Sequence, residues 1–327
     1  MIDAEGGATP VELARLLPEL VRFGPSSWTY PGWTGLVYQG PYPKKNAATL
    51  LLGEAARYPL FRTVGIDSAF YAPPSRDNLA RYAEQLPADF PCVSKVWQEI
   101  TVHTWTRQDR KRAGQVNENF LNAQLFLDAV AGPYLEAFAG HTGPLVFEFP
   151  AFGRKKGLTP DWFAEALDRF LEQLPRDLQY AVELRSPDFL TPMYLEVLRT
   201  HGVAHALNAW SNMPTIGQQL DLGAATTAEF IVCRALLRPG MLYGESVDAF
   251  APFDRIRAPD PVLRADLIRL MHTALELNTP AFVVINNRTE GCSPLTIAAL
   301  AKLWATGVHP RRLADPEDGL PDLVVGR

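Results

Sequence analysis

Cysteine is scarce in this chain: 327 residues hold three, Cys92, Cys233 and Cys292, and no two form a C-x-x-C pair. An odd, sparse set argues against a disulfide framework and a thiolate zinc or iron–sulfur site, and it suits a reducing compartment. Histidine is nearly as rare, at six, and no H-E-x-x-H occurs. His201 and His205 stand four apart with a glycine between them, which is not a helical ligand pair. A G-x-S-x-G nucleophile elbow is missing, and the first apolar run ends in GPSSW (24–28) where a dinucleotide-binding fold would carry G-x-G-x-x-G. No apolar run approaches the roughly 20 residues of a membrane span, and Met1–Ala8 has neither the basic start nor the apolar stretch of a signal peptide. The expectation is a cytoplasmic protein with no membrane partner. A basic excess is lacking too: 31 Lys and Arg against 36 Asp and Glu leave a net charge of −5, so a whole-surface grip on nucleic acid is not favoured.

What is present is an ordinary globular composition, 47% apolar and 20% charged, at a mass of 36.2 kDa that allows a full core. Short apolar runs alternate with longer segments of helical period. The runs predict strands at Val21–Pro25, Phe61–Ile66, Pro91–Trp97, Leu145–Phe149, Gln179–Leu184, Ala204–Leu207, Phe230–Leu236 and Ala281–Ile285. Helix starts are marked by Thr9-Pro10, Ser75, Thr159-Pro160, Thr191-Pro192, Asp260-Pro261 and Ser293-Pro294, each a capping oxygen, mostly with proline where no N–H is needed. Eight strand–helix units without a composition break predict a single-domain (β/α)8 TIM barrel over 21–308. A short-helix extension (1–20) precedes it and a tail (309–327) follows. A doubly wound sheet is the competing architecture.

Along a barrel strand alternate residues face the packed interior, so a polar residue at the last inward position stands at the mouth. Strand parity puts Lys95, Glu148, Glu183, Arg185, Arg234 and Asn286 there, with Asp67 after the second strand. As a ligand site, Glu148, Glu183, Lys95 and Asp67 are candidate acid–base groups. Arg185, Arg234, Asn286 and His103 would bind substrate, with Trp28 and Tyr30 as walls, although these aromatics could equally pack under the loop. As a structural feature, the same charges would be an ion network sealing the barrel. The set suits metal-free hydrolysis or lyase chemistry on an anionic, sugar-like or phosphorylated small molecule, with no cofactor. A Glu148–Glu183 separation of about 5 to 10 Å across an open cavity would allow glycosidic hydrolysis, and direct salt-bridge closure would remove it. Basic clusters at 107–112 and 154–156 leave nucleic acid or another polyanion as an alternative partner. Cys92 and Cys233 fall on the helix-facing parity, where a small buried hydrophobe is expected.

At these strand ends the sequence resembles the YecE-like family, domain-of-unknown-function family 72. The matching pieces are GPSSWTYPGW (24–33), VGIDSAFY (64–71), the stretch from Lys95 through Ile100 and Thr101 to His103, GPLVFEFP (143–150), AVELRSP (181–187) and NNRTEG (286–291) with Pro294. The resemblance implies a (β/α)8 barrel without an established activity. It also implies a likeness in form to metal-using barrel nucleases and sugar isomerases, which keeps a metal-dependent phosphoesterase as a further alternative; no metal ligand set is expected here. Two departures concern charge. The family usually has Glu where this chain has Gly65, and Gln where it has Glu148.

Overall fold

The computed structural model describes residues 8–106, 109–153 and 157–307. Eight parallel strands alternate with helices: β1 Val21–Pro25, β2 Gly65–Ile66, β3 Cys92–Lys95, β4 Thr142–Phe149, β5 Tyr180–Leu184, β6 Ala204–Ala209, β7 Ile231–Ala235 and β8 Ala281–Ile285. Their order around the sheet is β1-β8-β7-β6-β5-β4-β3-β2, a nearly closed (β/α)8 barrel. The seam lies between β1 and β2. There the Arg62 N–H donates to Phe23 O at 2.8 Å, and the two chains come so close that Gly24 lies against the Thr63 carbonyl and Gly65 against Ser26. This crowding, and the 3-10 turn that begins at Asp67, cut β2 to two residues where the apolar pattern predicts six.

Strand parity divides the core. Val93, Val146, Ala181, Ala204, Ala206, Phe230, Val232, Phe282 and Val284 fill the barrel interior. Their neighbours Cys92, Phe147, Phe149, Val182, Leu184, Cys233, Val283 and Ile285 face the helices in the larger cluster. Burial pushes the Cys92 and Cys233 thiols up, so neither is a thiolate at neutral pH.

The helix starts follow the predicted caps. Thr9 and Glu12 form a capping box on Pro10–Leu16, and Ser75, Thr159, Thr191 and Asp260 each accept a hydrogen bond from the third helical N–H. The last helix, Ser293–Ala305, differs. Ser293 does not cap it; instead its backbone N–H donates to Asn287 Oδ1 at 2.7 Å, an acceptor supplied by the turn after β8. The 237–259 connection after β7 contains a helix at Tyr243–Phe250. The helix Pro10–Leu16 packs on Ser293–Ala305, and Arg62 holds the end of this helix and the chain after it through the carbonyls of Ala14, Leu17 and Pro18. The predicted tail (309–327) lies outside the described residues.

Candidate functional site: a charge lattice in the barrel mouth

The interior parity that buries Val146, Ala181 and Val232 carries two residues further to Glu148, Glu183 and Arg234. Glu148 and Glu183 are register partners on adjacent strands, so two acidic residues of the same inward parity stand side by side, their backbones about one strand spacing apart. Unpaired, they would repel each other in a dry interior. Three cations resolve this. Arg185 donates through Nε to Glu183 Oε1 at 3.1 Å and through Nη2 to Glu148 Oε2 at 2.6 Å. Lys95 Nζ reaches Glu148 Oε2 at 2.6 Å, and its ammonium also lies 4.0 Å from the centre of the Phe70 ring. Arg234 is 1% exposed and ties β7 to β5, β4 and the turn after β2, pairing with Glu183, with Glu148 at 3.4 Å and with Asp67 Oδ1 at 2.5 Å. Three acids and three bases therefore cancel.

The lattice fixes protonation. Burial alone would raise the Glu148 pKa, but Arg185, Lys95 and Arg234 outweigh it and bring it down to about 2. Burial likewise opposes the Arg234 charge, and Asp67, Glu183 and Glu148 more than restore it, holding its pKa above the ordinary arginine range. Glu148 is thus an anion at neutral pH and no proton donor. Direct salt bridges close over both glutamates, so they do not form the open pair that glycosidic hydrolysis requires. Asp67 differs from them: its side chain is 26% exposed, against 3% for Glu148 and none for Glu183.

The rest of the expected set is spread more widely. Asn286 Nδ2 donates to Ser26 Oγ at 2.7 Å, tying the ends of β8 and β1 together within the mouth. Tyr30, half-buried, lies on Trp33 and edge-on to Phe253. Burial raises its phenol to about 12, with Arg288 and Asp67 both within electrostatic reach. Of the two readings open for Trp28, wall or packing under the loop, the structure shows the second: it is a core residue. It is 3% exposed, its indole N–H donates to Ala48 O at 2.8 Å, and its ring meets Tyr82 edge-on. His103 packs edge-on against Phe120 and Trp162 and contacts Thr104 Oγ1 at 2.9 Å, in the loop beside the mouth; it is not joined to the lattice by any of these contacts.

Sequence reading missed several members. Asn208, beside Arg234 in register, is the inward residue of β6, and Ser26 is that of β1; both are buried. Each strand therefore carries a polar residue near its end or is followed directly by one, as with Ser26 after β1, Asp67 after β2 and Asn286 after β8. Trp210 stacks on the Arg185 guanidinium at 3.7 Å, and Tyr71, 70% exposed, stands on the rim within electrostatic reach of Asp67 and Glu148.

Of the basic clusters, Arg112 is engaged by Glu99 and by Asp109 at 2.7 Å and stacks on Trp105, while Arg107 and residues 154–156 lie outside the described residues. Among the described residues, no group of three or more His, Cys, Asp or Glu side chains is placed to hold a metal ion, and no helix is long and apolar enough to cross a membrane.

The model of the family described as "Protein of unknown function DUF72" matches residues 22–318, nearly the whole chain. The chain belongs to the DUF72 family. Two DUF72 crystal structures share its fold. A protein from Thermotoga maritima MSB8 is 19% identical, with a TM-score of 0.58 over 87% of this chain and 99% of its own. One from Enterococcus faecalis V583 is 18% identical, with a TM-score of 0.58 over 88% of this chain and 95% of its own. No curated protein matches the sequence. Within the DUF72 barrel of this chain, Gly65 leaves β2 without an inward carboxylate, and Glu148 brings one into the mouth from β4.

Proposed function

We propose that the mouth of this DUF72 barrel binds a small anionic molecule, sugar-like or phosphorylated, and acts on it without a metal, by lyase-type proton abstraction rather than by glycosidic hydrolysis. The observation that carries this reading is the inequality of the three carboxylates. Glu148 and Glu183 are sealed beneath Lys95, Arg185 and Arg234, whereas Asp67 pairs with Arg234 while remaining a quarter exposed. An exposed carboxylate beside buried cations is the arrangement that removing a proton next to a carbonyl or carboxyl group needs. Asp67 takes the proton, and the cations stabilise the oxyanion that develops. In this reading Glu148 and Glu183 fix the guanidinium positions. The C-terminal end of the strands is also where (β/α)8 enzymes carry their sites.

The test is a thermal-shift and NMR screen of uronic acids, aldonic acids, sugar phosphates and their neutral parents in chelator-treated buffer, followed by a search for unsaturated products. Binding confined to the anionic members, with turnover lost and binding kept in Asp67→Asn, is the expected result. Neutral sugars binding equally well, or turnover appearing only on addition of a divalent metal, would overturn the proposal.

A further inference from the structure

The turn after β8, residues 286–291, is almost wholly committed to the fold. The Asn286 amide holds Ser26, and Asn287 Oδ1 caps the last helix. Thr289 donates to Asn286 O at 2.8 Å. Buried Glu290 accepts from Arg264 at 2.8 and 3.0 Å and from the Asp260 N–H at 2.6 Å. Gly291 takes a φ of +118° so that the chain can pass against the Arg255 carbonyl. Arg288 is the exception. Among the described residues its guanidinium has no carboxylate partner. Its Nη2 donates to the Tyr243 hydroxyl at 2.6 Å, its Nη1 to Asn286 Oδ1 at the long distance of 3.4 Å, and its buried Nε has no acceptor. The guanidinium also lies 4.0 Å from the centre of the Tyr243 ring, which is itself 54% exposed.

An arginine fork offers five N–H donors and suits a two-oxygen acceptor. Here it is held by neutral groups only. The six charges of the lattice cancel, so Arg288 is the positive charge left over among these seven mouth residues. It is also near the lattice, because Arg288 and Asp67 both act on the Tyr30 phenol, and the hydroxyls of Tyr30 and Tyr71 both sense Tyr243.

We propose that Arg288, backed by Asn286 and flanked by Tyr243, is an oxyanion subsite that takes the phosphate or carboxylate group of the mouth's ligand. This rests on the mouth being a small-molecule site, and it assigns the ligand's anchoring charge to the β8 side, away from the three cations of the lattice. The phenol that now occupies Nη2 rotates aside or joins in holding the anion. The reacting end of the ligand then lies toward Asp67.

The test uses inorganic phosphate and acetate as probes, titrated by NMR against the full chain, Arg288→Gln and Arg288→Lys, with thermal unfolding confirming that each variant is folded. Wild type is expected to bind at least one probe, phosphate over acetate marking a phosphorylated ligand and the reverse a carboxylated one. Arg288→Gln is expected to weaken that binding at least tenfold. Arg288→Lys keeps the charge without the fork and is expected to weaken it about threefold or more, which decides the question if the Gln variant does not fold. Unchanged affinity in either folded variant, or no probe binding to wild type, overturns the subsite. If the anionic panel compounds still bind wild type and Asp67→Asn still abolishes turnover, the mouth reading stands without it; if neither holds, both fall.

Discussion

Arg234→Met is the perturbation that weighs the lattice most directly. Methionine fills much of the arginine's volume, so the change removes a charge and leaves little cavity. What remains is three carboxylates, Asp67, Glu148 and Glu183, against Lys95 and Arg185. Asp67 can turn to solvent, and Glu148 keeps Lys95 and Arg185 at 2.6 Å each. Glu183 loses its partner at Oε2 and keeps only Arg185 at 3.1 Å, with no exposed surface to recover hydration. Stranding one buried charge in this way costs about 3–5 kcal/mol. With about 2.1 cal/mol/K of unfolding entropy per residue, that corresponds to a fall in Tm of roughly 4–7 °C for a chain of this size. The sign of the pH dependence follows. A stranded carboxyl has a folded pKa above its unfolded one, so the folded variant gains a proton, and relative stability, as pH falls. The deficit against wild type should therefore be largest at pH 7 and shrink toward pH 5 when Tm is followed by calorimetry. A variant as stable as wild type at pH 7, or more stable, would refute the reasoning. It would mean that the ions are a dispensable plug, replaceable by an apolar side chain.

The barrel was legible because its two periodicities are local. Apolar runs of strand length recur with helix caps between them, and period-2 parity within VFEF, VEL and VCR separates inward from helix-facing residues without knowledge of the neighbours. The same parity brought Lys95, Glu148, Glu183 and Arg234 to one end. It could not say which cation meets which anion, since that depends on the Glu148–Glu183 and Asn208–Arg234 register between strands. Asn208 was missed because ALNA reads as a strand that stops at Leu207, and Ser26 because GPSSW reads as a loop. Trp28 was left open between wall and core for a different reason. An aromatic beside a strand end is sequence-neutral between pocket and core, and the decision came from the Ala48 carbonyl, 20 residues away. Arg288 and Tyr243 meet across 45 residues, the turn after β8 reaching the first residue of the helix Tyr243–Phe250, and no period in the sequence places the one beside the other.

Two further outcomes are expected. The Glu148 pKa drops from 4.5 to about 2 on folding, so its contribution is complete above pH 4.5 and is lost as pH falls toward 2; at about 1.4 kcal/mol per unit this is about 3 kcal/mol. Urea midpoints should show Glu148→Gln less stable than wild type at pH 6, with the gap narrowing from pH 4.5 to 3, and a gap that stays constant would contradict the lattice. Gly65→Ala tests the seam: a Cβ there would lie 2.7–2.9 Å from the Ser26 backbone, which cannot swing away as a side chain could. Ser26 is fixed on its other side, since its N–H donates to Ile285 O at 3.0 Å and its Oγ accepts from Asn286 at 2.7 Å, so relief at Gly65 must displace the β1–β8 corner of the mouth. The cost expected for such overpacking is about 1–3 kcal/mol for Ala, and more for Glu, which adds a charge to the same close approach. An alanine variant with the wild-type urea midpoint would show that the β1–β2 seam opens freely; this chain's lack of a carboxylate on β2 would then have no steric cause.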